Sequence, residues 1–87
     1  MEIKSKTIID VRTREEFEEG NVAGSINIPL QEIPNRLDEV RLLSGPVVLV
    51  CASGNRSGRA VIFLKNFGVE CENGGSWMNM NRNFQTV

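Results

Sequence analysis

The stretch VVLVCASGNRS, residues 47–57, joins an unbroken apolar run to a polar loop with one glycine and one arginine. The apolar run predicts a buried strand, and residues 58–67 have the pattern of a helix. A cysteine therefore stands where a strand ends and a tight turn leads into a helix. Backbone N–H groups of such a turn, together with the positive end of the helix, stabilise an anion.

We expect this arrangement to stabilise Cys51 as a thiolate, which is the reactive form of cysteine. We expect Arg56 to add positive charge at the rim of the loop, and Gly54 to let the backbone curl. The alternative for Cys51 is a buried structural thiol, which is common among free cysteines. The full set of predicted substrate-binding residues is Ala52, Ser53, Gly54, Asn55, Arg56 and Ser57, with the Ser57 hydroxyl at the helix start.

The composition limits the other possibilities. The 87 residues fit a single domain over residues 1–87, with 10 basic and 11 acidic side chains and no dense basic cluster, so no nucleic-acid partner is expected. The apolar runs are short and the first residues lack a signal-peptide pattern, so we expect no membrane partner and a cytoplasmic location, with a processed exported form left open. Histidine is absent, which argues against Cys–His proteases and most zinc enzymes. We expect no metal and no cofactor.

The two cysteines, Cys51 and Cys71, are expected to be free thiols. Each follows a strand-like run in different surroundings, which does not favour a bridge between them. We interpret Cys71 as a core residue and Trp77 as lid or core packing.

Strand-like and helix-like segments alternate along the chain. Strands are predicted at residues 7–11, 24–28, 47–50 and 69–71; helices at 13–19, 33–43 and 58–67; a turn at 73–75; and a short helix from 76 onward. This alternation predicts an α/β fold with a central parallel sheet of four to five short strands, flanked by helices on both faces. Ligands of such folds bind beyond the carboxyl ends of the strands, where Asp10, Arg12 and Cys51 lie.

Three stretches together resemble the rhodanese family of sulfurtransferases. They are the segment from Ile9-Asp10-Val11-Arg12 to the GNVAGSINIP of residues 20–29, the segment 47–57, and the Gly-Gly-Ser-Trp of residues 74–77. The resemblance covers roughly residues 7–78 and implies a rhodanese-like fold, with Cys51 as the catalytic residue and sulfur carrier. It also implies that Asp10 and Arg12 brace the active loop. The chain departs from the family pattern at Asn21, usually a histidine, and at Ala52, usually aromatic or basic.

The implied reaction transfers sulfane sulfur in two displacements. Cys51 attacks the outer sulfur of thiosulfate, a polysulfide or a persulfide, and a thiophile such as cyanide or a thiol then removes the sulfur from the Cys51 persulfide. The expected partners are thus a small-molecule or protein sulfur donor and a thiol acceptor. The physiological donor and acceptor, and the oligomeric state, stay open.

Three other functions compete with this interpretation. Phosphatases and arsenate reductases use a Cys-x5-Arg loop, whereas Arg56 lies five positions after Cys51, which makes a loop one residue shorter and better suited to a single sulfur atom. A non-catalytic interaction module would use the fold as a scaffold, but such modules commonly lose the cysteine. Redox sensing through oxidation of Cys51 is the third alternative.

Overall fold

Four parallel strands form the centre of the protein. The structure, a computed structural model, describes residues 6–43 and 45–80. The strands are β1 (Thr7–Asp10), β2 (Ile26–Asn27), β3 (Val47–Cys51) and β4 (Cys71–Ser76), and they lie in the order β2-β1-β3-β4. All pairings are parallel, and every residue of β3 is buried. The predicted α/β fold with a central parallel sheet is confirmed, with four strands.

Helices and single turns connect the strands. They are α1 (Arg14–Glu18), two 3-10 turns (Leu30–Glu32 and Pro34–Arg36), α2 (Leu37–Arg41) and α3 (Asn55–Asn66), and residues 77–80 are also helical. The predicted capping box of α1 is present, since Thr13 and Glu16 bond to each other's backbone N–H. The Asn21 side chain donates to the Phe17 carbonyl at 2.8 Å, so it caps the end of the same helix.

Side chains alternate between two apolar layers because successive residues of a strand point to opposite faces of the sheet. On one face, Ile9 and Leu49 pack with residues of α2 and α3, among them Val40 and Leu64. On the other face the buried residues are Ile8, Val22, Val48 and Val50, and Trp77 and Met80 pack against them. Both faces are therefore covered, the second by a loop residue and the helical segment 77–80.

The single amphipathic helix predicted for residues 33–43 is wrong. A 3-10 turn at Pro34–Arg36 precedes α2, and Arg36 between them has φ −116° and ψ 23°, outside the helical region. The break therefore falls at Arg36, two residues after Pro34, while Ile33 and Leu37 keep helical dihedral angles. Pro34 lacks a backbone N–H and stands in the first turn, where no helical hydrogen bond is lost. The pattern predicts that either Leu42 or Leu43 faces the core. Leu43 packs against the core, and Leu42 is 86% exposed.

The end of the chain also differs from the prediction. The strand expected at residues 69–71 runs from Cys71 to Ser76, and the Asn-Gly-Gly expected as a turn lies inside it. The pairing shifts between Leu49↔Asn73 and Val50↔Gly75, so Gly74 is an extra residue in β4 and forms a bulge. Asn-Gly-Gly is the pattern of a turn when it is considered alone. Here Gly74 lies against the side chains of β3, where a Cβ would not fit, and Gly75 has a positive φ of 80°.

The contact of Gly74 with β3 gives a stability prediction. A Cβ at this position would lie 2.7 Å from Cγ1 of Val48 and 3.0 Å from Cγ1 of Val50. We expect Gly74→Ala to lower the free energy of unfolding by about 1–3 kcal/mol because of this overpacking. Urea unfolding of the single variants and of Gly74→Ala/Val48→Ala measures the effect. The double variant should lose less than the two singles together, and strict additivity would contradict the proposed clash.

Candidate active site

The site lies at the carboxyl end of β3. Cys51 is the last residue of that strand, and α3 begins at Asn55, three residues earlier than predicted, so only residues 52–54 form the connecting turn. Gly54 has φ 101°, a conformation that side chains other than hydrogen rarely allow. The first turn of α3 therefore folds back over the Cys51 side chain.

Three groups converge on the Cys51 sulfur. The Gly54 N–H lies 3.0 Å from Sγ, the Ser57 N–H 3.3 Å from it, and the Ser57 hydroxyl 3.4 Å from it. Gly54 is the N-cap residue of α3 and has no side chain to bond the free amides of the first turn. The sulfur accepts a hydrogen bond from the backbone N–H of Ser57, the third residue of the helix. In other helices the side chain of the N-cap residue accepts this bond.

These contacts decide the acidity of Cys51. Burial of the side chain raises the pKa of Cys51, but the Ser57 hydroxyl and the backbone N–H groups of Ser57, Ser53 and Gly54 together lower it by more, so the pKa lies below its ordinary value. The residue is 1% exposed, so the thiol lies at the bottom of the loop. The arrangement favours the thiolate form of Cys51, which is the reactive form of a cysteine.

The remaining predicted loop residues surround the mouth of the site. The side chains of Ala52, Ser53 and Asn55 are exposed, and within the described part of the chain none of them contacts the sulfur. Their part in binding a substrate stays a prediction. Arg56 is half-buried, and the nearby Cys51 charge is one of the influences that raise its pKa, after the stronger hydrogen bond of Glu16.

Glu16 is part of the site although the sequence assigned it only to a capping box. Its carboxylate accepts from both terminal nitrogens of Arg56, at 2.7 and 3.1 Å. The two residues are 40 positions apart, and no local pattern connects them. Capping alone explains an acidic residue in the first turn of α1. The contact of Glu16 with Arg56 is therefore known only from the structure.

Asp10 and Arg12 form a buried ion pair. The Arg12 guanidinium donates to both oxygens of the Asp10 carboxylate at 2.8–3.0 Å, and the pair is almost fully buried. Arg12 also donates to the carbonyls of Glu16 and Gly20 and lies 4.5 Å from the centroid of the Trp77 ring. Among the described residues these side-chain contacts reach α1 and its end, not residues 52–57, so direct bracing of the active loop stays a prediction.

Asn73 of β4 forms hydrogen bonds with the turn and the first helical turn that follow Cys51. Its Oδ1 accepts from the Ser57 hydroxyl at 2.7 Å and from the Gly75 N–H at 2.9 Å, while its Nδ2 donates to the Gly54 carbonyl at 3.0 Å. These partners fix the orientation of the amide. No local pattern points to this role of Asn73, because Asn before two glycines has the pattern of a turn.

Cys71 takes no part in the site. Both cysteines are free, as predicted. Cys71 is paired in the sheet with Val47, four residues before Cys51, which places the two thiols about 13 Å apart along the strands. Its Sγ donates to the Val61 carbonyl at 3.8 Å, and burial raises the pKa of Cys71. It lies in the main apolar layer, as expected for a core residue.

Residues 6–43 and 45–80 contain neither a candidate metal site nor a candidate membrane helix. No cluster of three or more cysteine, aspartate or glutamate side chains is placed to hold a metal ion. Within the same ranges, no helix combines the length and the apolar character that crossing a membrane requires.

Comparison with known proteins identifies the family. The profile of the rhodanese-like domain matches residues 1–81. The chain belongs to the rhodanese-like family. Among solved structures, the rhodanese-like domain protein from Staphylococcus aureus superposes with a TM-score of 0.80 at 32% identity, over 93% of this chain and 78% of that one. A rhodanese with anions from E. coli gives a TM-score of 0.77 at 33% identity, over 85% and 89% of the two chains.

Curated relatives of this rhodanese-like domain include proteins of sulfur transfer. Thiosulfate sulfurtransferase PspE of Escherichia coli is 38% identical over 69 residues, which are 77% of this chain and 66% of PspE. The uncharacterized protein YqhL of Bacillus subtilis is 44% identical over 61 residues, which are 70% of this chain and 48% of YqhL. The putative sulfur carrier protein YrkF of the same organism is 35% identical over 65 residues, 75% of this chain and 35% of YrkF. The chain thus spans only about a third to two thirds of these relatives.

The hydrogen bonds to sulfur predict an acidic Cys51 thiol. We expect the rate of Cys51 alkylation by iodoacetamide, followed by peptide mass spectrometry, to rise with a midpoint below the ordinary thiol value of about 8.5. Ser57→Ala should move the midpoint upward because it removes the hydroxyl that lies 3.4 Å from the sulfur and is bonded to Asn73, which holds the turn. Ser53→Ala, which keeps its backbone N–H, should not. A wild-type midpoint at or above the ordinary value would contradict the role of the amides.

The buried ion pair predicts a large loss of stability when one partner is neutralised. Asp10→Asn leaves the Arg12 guanidinium buried without a carboxylate, and we expect it to lower the free energy of unfolding by about 3–5 kcal/mol. Lys6→Gln, which removes an exposed pair with Glu72, is the control and should cost less than about 1 kcal/mol. Chemical denaturation measures both, and equal small losses would show that the buried pair is dispensable.

Proposed function

We propose that this rhodanese-like domain is a sulfurtransferase that carries sulfane sulfur on Cys51. The observation that carries the proposal is the convergence of the Gly54 N–H, the Ser57 N–H and the Ser57 hydroxyl on one sulfur atom. Two backbone N–H donors at a single sulfur, with a hydroxyl beside them, stabilise a thiolate before the reaction and a persulfide anion after it. The sulfurtransferase name of the relative PspE supports the same activity.

The reaction consists of two displacements at sulfur. In the first, the Cys51 thiolate attacks the outer sulfur of the donor, an S–S bond forms, and the bond within the donor breaks, so that sulfite or a thiolate leaves with the electron pair. In the second, cyanide or a thiolate attacks the outer sulfur of the Cys51 persulfide. The product is thiocyanate or a new persulfide, and the Cys51 thiolate returns to its starting state.

The residues around the mouth of the site bind the donor in this proposal. The backbone N–H groups and exposed side chains of Ala52, Ser53 and Asn55 receive the leaving group, while Arg56 supplies positive charge at the rim. Asp10 and Arg12 support the site through α1, which carries the Glu16 partner of Arg56. No organic cofactor and no metal take part in these steps. A catalytic free thiol fits a reducing compartment, so we place the protein in the cytoplasm.

Mass spectrometry of the intact protein tests the carrier role. After incubation of the reduced chain with thiosulfate, polysulfide or an organic persulfide, we expect a gain of one sulfur atom, which cyanide removes as thiocyanate. Cys51→Ser should abolish the gain, because it lacks the nucleophile, and Cys71→Ala should keep it. No gain in the wild-type protein, or an equal gain in Cys51→Ser, would favour a non-catalytic interaction module instead.

A further inference from the structure

The carboxylate of Glu16 is bound to Arg56, the positively charged residue of the active loop. Both of its oxygens bind the Arg56 guanidinium, and one of them also accepts from the Thr13 backbone N–H at 2.9 Å and the Thr13 hydroxyl at 3.2 Å. The Glu16 side chain is 38% exposed and that of Arg56 is 34% exposed, so the pair lies at the surface of the site and not in the core. The oxygen that binds Thr13 is also the one that accepts the shorter bond from Arg56, so the capping box of α1 holds the carboxylate against the guanidinium.

Glu16 is ionised at neutral pH. The hydrogen bond from Arg56, with those from Thr13, lowers the pKa of Glu16 to about 2. The guanidinium of Arg56 is always charged. The rim of the site therefore holds one positive and one negative charge in direct contact, and the positive field that the sequence predicted from Arg56 is largely cancelled.

Two other arginines lie in the same part of the chain. Arg12 is bound to the Asp10 carboxylate in the interior. Arg59 lines a groove of about 230 Å³ between α3 and the two 3-10 turns, together with Leu30, Pro34 and Phe63. A dianion that approaches Cys51 would meet the negative charges of the thiolate and of the Glu16 carboxylate, and the second of these offsets the charge of Arg56.

We propose that Glu16 is a specificity-determining residue that directs this site toward sulfane donors of low negative charge, such as monoanionic thiosulfonates and persulfides, and away from dianionic thiosulfate. This proposal rests on the proposed function of Cys51 as a sulfur carrier. Glu16 acts by charge, since a carboxylate bound to Arg56 repels a dianion more strongly than a monoanion. It reduces the binding of thiosulfate before any bond is made.

Thiosulfate and methanethiosulfonate form a matched pair of donors. In each, the Cys51 thiolate attacks the terminal sulfur, an S–S bond to Cys51 forms, and the bond from that sulfur to the sulfonyl sulfur breaks. Sulfite leaves from thiosulfate and methanesulfinate leaves from methanethiosulfonate, in each case with the electron pair. The two donors share the reacting group and differ by one negative charge, so the ratio of their kcat/KM values reports charge selection.

The decisive variant is Glu16→Gln. Glutamine keeps the acceptor that the capping box requires and can still accept a bond from Arg56, so the change removes the charge with little change of shape. We expect the ratio of kcat/KM for thiosulfate to that for methanethiosulfonate, measured with the full chain, to rise about tenfold. Glu15→Gln is the control, because Glu15 is exposed on the same turn and makes no contact with Arg56. Its ratio should stay within about twofold of wild type. An unchanged ratio in Glu16→Gln, or an equal rise in Glu15→Gln, would overturn the proposal.

A second measurement does not depend on sulfur transfer. Cys51 is alkylated with iodoacetate, an anion, and with iodoacetamide, its neutral counterpart, and peptide mass spectrometry follows each rate. The ratio of the anionic to the neutral rate should rise about threefold in Glu16→Gln and stay at the wild-type value in Glu15→Gln. A rise of this ratio without sulfur transfer from either donor would support charge selection and refute the proposed function. Sulfur transfer with an unchanged alkylation ratio would refute the role of Glu16 and leave the proposed function in place.

Discussion

The buried pair of Asp10 and Arg12 ties the carboxyl end of β1 to α1 and to Trp77. From the end of β1, the Arg12 guanidinium reaches the carbonyls of Glu16 and Gly20 and the face of Trp77. It thereby fixes α1, and α1 presents the carboxylate that binds Arg56. A charge this deep requires a partner of opposite sign, because an unpaired buried ion costs several kcal/mol. The pair therefore constrains where α1 can lie and, through α1, how the rim of the site is charged.

The balance of burial and hydrogen bonds at Cys51 shows how the pKa of a cysteine can be lowered without a histidine partner. Removal of the thiolate from water opposes ionisation and is the largest single influence on the pKa of Cys51. Several hydrogen bonds together exceed it, and all of them come from the short turn and first helical turn after β3. Asn73 holds that turn from β4, and the left-handed backbone of Gly54 lets it close. The acidity of the thiol thus depends on backbone geometry, which the fold fixes before any substrate arrives.

Much of this could be predicted from the sequence, because its strongest signals are local. The apolar run at residues 47–50 and the capping box at Thr13 and Glu16 are patterns of a few residues, and the structure has both. What the sequence did not reveal depends on partners far apart in the chain. Glu16 meets Arg56 across 40 residues, and Asn73 meets Ser57 across 16. The glycines of β4 had the pattern of a turn, since nothing local indicates that a bulge must clear Val48.

The sulfur of Cys51 also serves as the missing N-terminal cap of α3, so the charge of this sulfur affects the stability of the helix. The N–H groups of Gly54 and Ser57 bond the sulfur where the helix begins. A negative atom at this point stabilises the helix through its dipole, and a blocked, neutral sulfur withdraws that support. The twelve residues of α3 should therefore be more stable when the sulfur is ionised than when it is alkylated.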